Sequence, residues 1–392
     1  MKRPTRLCSE RGLLSACDSA SRAAIQRRSV VAKSTTVIAF DQHAATTVAA
    51  VLKPGDRTAA LYQLTSDTAT ILRFVARLRR AGPMQCCYEA GPCGFELQRA
   101  LTTRQIPCDV IAPALIPRRP GDRIKTDRRD AAQLAVLYRA AALTAIHIPT
   151  EQEEAARDLL RCREDIRADL LRARHRLSHF LLRHGRRFLA TKRAWTKRHA
   201  EWLQAQRWPL AALEQTHRAY VRAVDEAVGR LHAVDLELRD LLPLEPLRAR
   251  VARLRCFRGI DDLTALTIAA ELGDPRRFPT APSVMAFTGL IPSEHSSGAK
   301  QARGPITKTG NAHLRRVLVE AAWQYRHHAF LGPSLQRRQR GAPPHAIDIA
   351  WRAQRRLHRR YRTLAVRGKP KQHIVTAVAR ELSGFLWAAL TQ

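Results

Sequence analysis

Four carboxylates in the first 130 residues are spaced as metal-ion ligands would be. Asp41 follows the apolar run "VIAF" and Glu89 follows "QCCY", so each acid ends a predicted strand. In open α/β sheets, sites gather at the carboxyl ends of strands. Asp127 and Asp130 stand three apart at a predicted helix start, which puts both on one face. Two divalent ions about 4 Å apart need several hard oxygen ligands and catalyse attack on phosphodiesters.

A plainer interpretation exists for the helix acids taken singly. Asp127 would be an N-cap, and Asp130 a first-turn acid favoured by the helix dipole. The basic residues around the pair, Lys125 and Arg128 among them, would contact DNA phosphates or form an ordinary solvated face. The four acids together favour the metal-ligand interpretation.

A second stretch has residue types that could bind or attack a phosphate. It reads "SEHSSGAKQARGPITKTGNAHLRR", residues 293–316. Asn311 is a natural N-cap for the apolar helix that follows. Free N–H groups at that helix start would bind an anion, together with the basic side chains of Lys308, Arg315 and Arg316. Ser297, beside a glycine, would bring a hydroxyl to a bound phosphate. No adjacent base activates it in the local sequence, so a phosphate-binding loop and a nucleophile both stay open.

The charge of the chain indicates a polyanionic partner. Its 392 residues include 68 Lys and Arg against 34 Asp and Glu, a formal net charge of +34. DNA or RNA is the commonest partner for such a charge. No run approaches the roughly 18 apolar residues that span a bilayer, so we expect a cytoplasmic, nucleoid-associated protein without a membrane partner. The eight cysteines fit neither a disulfide framework nor zinc-ligand spacing, which favours reduced thiols.

The pattern along the chain predicts four regions. Residues 1–33 are predicted to be a basic, disordered tail or to lie upstream of the functional start, and alternating strands and helices over 34–148 predict an α/β domain. Residues 149–247 carry heptad-spaced apolar residues, typical either of a helical hairpin packed on itself or of a coiled coil that joins protomers. Residues 248–392 are mainly helical, with an element near 250–275 that resembles a helix-hairpin-helix.

Two resemblances to known proteins follow from these motifs. The order of strand-end Asp, strand-end Glu and helical Asp pair resembles RNase H-like nuclease domains of the RuvC type. With the block "AFTGLIPSEHSSGAKQARGPITKTGNAHLRRVLVEAAW" and the closing "VARELSGFLWAAL", nearly the whole chain from about residue 35 to 387 resembles the DEDD transposases of the insertion sequence 110 family.

The resemblance implies a mechanism and partners. Asp41, Glu89, Asp127 and Asp130 would bind Mg²⁺ or Mn²⁺. Ser297 would be the nucleophile that forms a covalent phosphoserine link to DNA, with Ser296 as the alternative because the doubled serine shifts the register by one. A structured noncoding bridge RNA would pair with donor and target DNA. The protein would act as a dimer or tetramer in which one protomer's acids join another's serine.

Two other functions stay open at this point. A RuvC-like metal-dependent nuclease would cut DNA without strand transfer and would use the C-terminal region only for binding. A non-catalytic remnant would use only the charge to bind nucleic acid.

Overall fold

The computed structural model describes residues 32, 34–117, 126–191, 193–294 and 302–392. The chain divides into two compact units. The first unit comprises the residues up to Pro149 together with Phe278–Phe287, and the second comprises Thr150–Arg277 together with Thr288–Gln392. Each unit has a core of its own. The predicted boundary between spacer and C-terminal domain stays a prediction.

The first unit is a mixed α/β fold built on a five-stranded sheet. Its order is β3-β2-β1-β4-β5. Strand β2 runs antiparallel to β1 and β3, whereas β4 and β5 continue parallel to β1. This arrangement is consistent with the predicted RNase H-like domain. The strands are β1 (Thr36–Gln42), β2 (Thr46–Leu52), β3 (Ala60–Thr65), β4 (Met84–Glu89) and β5 (Cys108–Ile111).

Helices cover both faces of the sheet. Because successive strand side chains point to opposite faces, Phe40 packs beneath α1 (Thr68–Arg79) and α2 (Glu96–Thr103). Ala39 and Cys87 lie on the other face, beneath α3 (Asp127–Arg139). Between Thr36 and Arg139 each predicted strand is a strand and each predicted helix is a helix, and one further strand was not predicted.

Strand β3 is that further strand. Five of its six residues are exposed. Its sequence "ALYQLT" therefore needs no long apolar run of the kind that identifies β1 and β4. It pairs with β2 at the edge of the sheet, and Tyr62 packs against Phe74 of α1 with ring centroids 5.1 Å apart. An edge strand needs one neighbour and little burial, which leaves a weak signal in the sequence.

A long helical hairpin begins the second unit. It comprises α4 (Glu151–Arg183), α5 (Lys197–Gln204) and α6 (Ala211–Asp240). Thr150 and Glu153 form a capping box that starts α4. The heptad seam is filled within the chain, because Leu177 and Phe180 of α4 pack against Val224 of α6. This matches the self-packed hairpin, one of the two alternatives for the spacer. Trp195, Trp202 and Trp208 pack against this core.

The second unit continues with shorter helices, three of which pack against the long C-terminal helix α13 (Lys371–Thr391). The expectation that no apolar run is long enough to cross a membrane is wrong for this helix, whose most apolar window passes that test by length and composition. However, 56% of the window is buried inside the protein, which is typical of a core helix. The elements are α7 (Leu247–Leu254), α8 (Asp262–Leu272), β6 (Pro292–Glu294), β7 (Arg303–Ile306), α10 (Ala312–Ala322), α11 (Pro333–Gln339), α12 (Pro344–Val366) and α13 (Lys371–Thr391), while α9 (Ala281–Phe287) belongs to the first unit.

A tight turn joins α7 to α8 where the sequence resembles a helix-hairpin-helix. Gly259 has a φ of +80°, and a Cβ there would lie 2.6 Å from the carbonyl oxygen of Ala321. Only glycine allows α10 to approach so closely. Asp261 caps α8 by accepting a hydrogen bond from the Thr264 N–H at 2.8 Å. The two helices and their glycine turn are present, and phosphate binding by them stays a prediction.

Candidate metal centre and phosphate-binding loop

Asp41 and Glu89 are neighbours at the carboxyl ends of the paired strands β1 and β4. The parallel register pairs Phe40 with Tyr88, so the next residue of each strand is one of the two acids. Both acids share the strand face of Ala39 and Cys87, which α3 covers. The strands therefore bring two carboxylates from separate parts of the sequence to the start of α3.

Helix α3 places the other two acids at its first turn. Its N-cap is Thr126, whose hydroxyl accepts a hydrogen bond from the Arg129 N–H at 3.4 Å. The interpretation of Asp127 as the N-cap is therefore wrong. Asp127 lies instead one turn before Ala131 on the stripe that packs on the sheet, so its carboxylate faces the edge where Asp41 lies.

Asp41 and Asp127 come together with a histidine that the sequence analysis did not single out. The Nε2 atom of His43 lies 3.6 Å from Oδ1 of Asp41 and 3.6 Å from Oδ1 of Asp127. One ligand atom of each residue lies within 4.8 Å of the other two. His43 follows the last residue of β1, and only the packing of α3 on the sheet brings Asp127 beside it.

Glu89 and Asp130 lie outside that three-residue cluster. Glu89 is exposed at the end of β4, and Asp130 is half-buried in the first turn of α3. Arg128, predicted to contact nucleic acid, is exposed on the same turn. The structure thus groups two of the four predicted ligands closely and sets the other two on the elements beside them.

The predicted nucleophile falls in a part of the second unit that is not described. Ser296 and Ser297 lie outside the described residues, as does Lys125 of the first unit. Strands β6 and β7 flank the serines in sequence and pair with each other, with Glu294 opposite Arg303. The role of Ser297 stays a prediction.

The turn after β7 is held by a close backbone contact. Lys308 has a φ of +54°, unusual for a residue with a side chain. Its N–H donates to the Gly289 carbonyl oxygen at 3.2 Å. A Cβ on Gly289 would lie 2.4 Å from the Thr309 carbonyl oxygen, so glycine is required there. The contact leaves the Lys308 side chain exposed beside the start of α10.

Asn311 caps α10 as predicted and also binds a buried carboxylate. Its Oδ1 accepts from the Leu314 N–H at 2.9 Å, and its Nδ2 donates to Oε2 of Glu271 at 2.7 Å. Arg161 of α4 donates to both oxygens of Glu271, at 3.0 and 3.2 Å. Burial opposes ionisation of Glu271, but these hydrogen bonds outweigh it and hold the Glu271 pKa below its usual value.

The two arginines predicted to bind nucleic acid already have protein partners. Arg315 donates from Nη1 to the Thr288 carbonyl oxygen at 3.0 Å. Arg316 pairs with Glu164 of α4 at 2.8 Å and with Glu320 at 3.0 Å. In this structure both side chains stabilise the packing of α10 against its neighbours. Phosphate contacts by Lys308, Asn311, Arg315 and Arg316 stay predictions.

Replacing Glu271 by alanine is expected to destabilise the second unit by about 2 kcal/mol, since it removes the buried carboxylate that accepts two hydrogen bonds from the Arg161 guanidinium. Asn311 would also lose the acceptor that fixes its amide. Chemical denaturation followed by helical circular dichroism measures the change. The matched control is Glu320→Ala, which removes a surface partner of Arg316 and should cost less than about 1 kcal/mol. Equal effects of the two substitutions would contradict the assignment of Glu271 as a structural anchor.

Comparison with known proteins shows which family the chain resembles. A family profile described as "Transposase", of the DEDD type of IS110, matches residues 38–185. A second, described as "Transposase IS116/IS110/IS902 family", matches residues 251–335. A putative transposase, y4qE, of Sinorhizobium fredii is 43% identical over 302 residues, 77% of this chain and 74% of the relative. The chain belongs to the IS110 family of DEDD transposases.

A second relative supports the same family. The transposase for insertion sequence element IS1533 of Leptospira borgpetersenii is 34% identical over 310 residues, 78% of this chain and 90% of the relative. The first profile spans all four acids of this transposase, and the second spans Ser297 and Asn311. A transposase of this family is a DNA-binding enzyme that cleaves and transfers DNA strands.

The acids fit the divalent metal that a DEDD family implies. Ligand atoms about 2.1 Å from one ion are separated by about 3.0 to 3.4 Å at octahedral or tetrahedral angles. The separations of 3.6 Å around His43 are close to that range. The side chain of Asp127 is 58% exposed, so the cluster is open to an ion and to a substrate.

Proposed function

We propose that this transposase cuts and rejoins the DNA of an insertion sequence through a covalent phosphoserine intermediate. The observation that carries the proposal is the convergence of Asp41 and Asp127, beside Glu89 and Asp130, at one edge of an RNase H-like sheet. A divalent metal bound there lowers the pKa of a nucleophile and stabilises charge on phosphate oxygens. The four carboxylates would hold that metal, and the metal would supply the activating group that the local sequence around Ser297 lacks.

The proposed chemistry conserves the phosphodiester bond energy. The hydroxyl oxygen of Ser297 loses its proton to solvent and forms a new bond to phosphorus, the bond from phosphorus to one deoxyribose oxygen breaks, and the released sugar oxygen takes up a proton from solvent. Attack by a sugar hydroxyl of another strand then reverses the step and frees the serine. Strands are exchanged without ATP. In this proposal the ammonium group of the exposed Lys308 binds the DNA phosphate that Ser297 attacks.

A recombination assay tests the proposal against a simple nuclease. Supercoiled plasmid carrying the DNA that flanks the gene is incubated with the purified transposase, its co-purified RNA and Mg²⁺. We expect sequenced products with new joints between donor and target. Nicked or linear DNA with no joints would favour the RuvC-like nuclease, and unchanged plasmid would favour the non-catalytic remnant.

We further propose that a structured noncoding RNA guides the reaction. A net charge of +34 favours the binding of an RNA in addition to DNA. RNA that co-purifies with the transposase should be one defined sequence encoded beside the gene. A random mixture of cellular RNAs would count against guidance.

A further inference from the structure

The side chain of His43 completes a three-ligand cluster with two of the family's acids. Its Nε2 atom is equidistant, at 3.6 Å, from an oxygen of Asp41 and an oxygen of Asp127. A hydrogen bond would bring the nitrogen within about 3.2 Å of one oxygen. The observed separations are longer than a hydrogen bond and close to those of ligands that share one ion.

The backbone of His43 is fixed on both sides. Its N–H donates to the Thr46 carbonyl oxygen at 3.0 Å, across the β1–β2 turn. Its carbonyl oxygen accepts from the Ser66 hydroxyl at 2.6 Å, and Ser66 also contacts the Thr47 hydroxyl at 2.8 Å. The turn therefore presents the imidazole from a constrained position, which is what a metal ligand requires.

The ring is available to a bound ion. The side chain of His43 is 53% exposed, so its position is not explained by packing in the core. Asp41 is the most enclosed of the three, with 20% of its side chain exposed. The cluster therefore opens outward on the side where Asp127 and the imidazole lie.

We propose that His43 is a metal ligand of this centre and that its nitrogen raises the affinity for Mn²⁺ relative to Mg²⁺. An imidazole nitrogen binds borderline transition metals well, whereas Mg²⁺ prefers oxygen. The set of one nitrogen with carboxylate oxygens thus accepts both ions and favours Mn²⁺. This inference rests on the proposed metal-dependent function and names a ligand in addition to the four acids.

Metal binding to the full-length, nucleic-acid-free transposase tests the proposal. Replacing His43 by glutamine should weaken Mn²⁺ binding by about tenfold or more, and Mg²⁺ binding by less than about threefold. Calorimetry gives both affinities. Pulsed electron paramagnetic resonance of bound Mn²⁺ gives a direct signature, because wild type should show coupling to a ligand nitrogen and His43→Gln should not.

Two control variants separate the outcomes. The exposed His232→Gln on α6 should leave both affinities and the nitrogen coupling unchanged. If Asp41→Asn abolishes binding while His43→Gln matches wild type, His43 is not a ligand and the proposed function stands. An equal loss of both ions in His43→Gln also overturns the inference. If Asp41→Asn binds metal like wild type, the metal centre of the proposed function fails as well.

Discussion

Replacing Asp127 by asparagine is expected to reduce metal-dependent DNA cleavage about a thousandfold, because it removes one carboxylate from the ion. The amide keeps the size of the side chain and one oxygen ligand but loses the charge. Asp127 is exposed, and α3 is capped by Thr126, so the fold should be unaffected. Cleavage rates on plasmid DNA at saturating Mg²⁺, with thermal unfolding as the stability check, measure the effect.

The matched control for Asp127 is Asp165→Asn. Asp165 is an exposed acid on α4, and its replacement removes the same charge from the chain. It should cleave at the wild-type rate. Equal rates for Asp127→Asn and wild type would show that Asp127 takes no part in the reaction, which would contradict its role as a metal ligand.

Replacing Ser297 by alanine should abolish the covalent protein–DNA adduct, a loss of roughly 10⁴-fold or more, since the alanine side chain offers no nucleophile. Gel electrophoresis in sodium dodecyl sulfate with labelled DNA measures the adduct. Ser296→Ala, which changes the adjacent serine, is the matched control, and it should retain adduct formation. The opposite pattern would move the nucleophile to Ser296. An adduct that persists in both variants would contradict a serine nucleophile in this loop.

The sequence predicted the parts of the fold that depend on local patterns. Strands β1 and β4 were visible as apolar runs that end in an acid. The seam of α4 and α6 was visible as heptad spacing, and Asn311 as a polar residue at the start of an apolar helix. Each of these patterns depends only on residues that are close together in the sequence.

Features that depend on tertiary contacts were not predicted. Glu271 looks in the sequence like an ordinary helix residue, and only the packing of α4, α8 and α10 shows that its carboxylate joins Arg161 to Asn311. His43 gains significance only when α3 brings Asp127 to the end of β1. The edge strand β3 has too little burial to leave an apolar pattern.

The contacts of Arg315 and Arg316 illustrate the same limit. A basic pair at a helix start favours an anion site when only local sequence is considered. In the fold, Arg316 is held by Glu164, a residue more than 150 positions earlier in the chain. Such a partner cannot be inferred from the residues near the arginine. Of the basic residues predicted around α10, Lys308 is the exposed one.

Mass spectrometry of the covalent adduct tests most directly whether this transposase joins a serine to DNA in a reaction that needs the four carboxylates. The wild-type protein is reacted with DNA and Mg²⁺, digested with nuclease and protease, and sequenced as peptides. The account predicts a nucleotide linked through phosphate to Ser297 in wild type and none in Asp127→Asn. Cleaved DNA without any modified serine would contradict it.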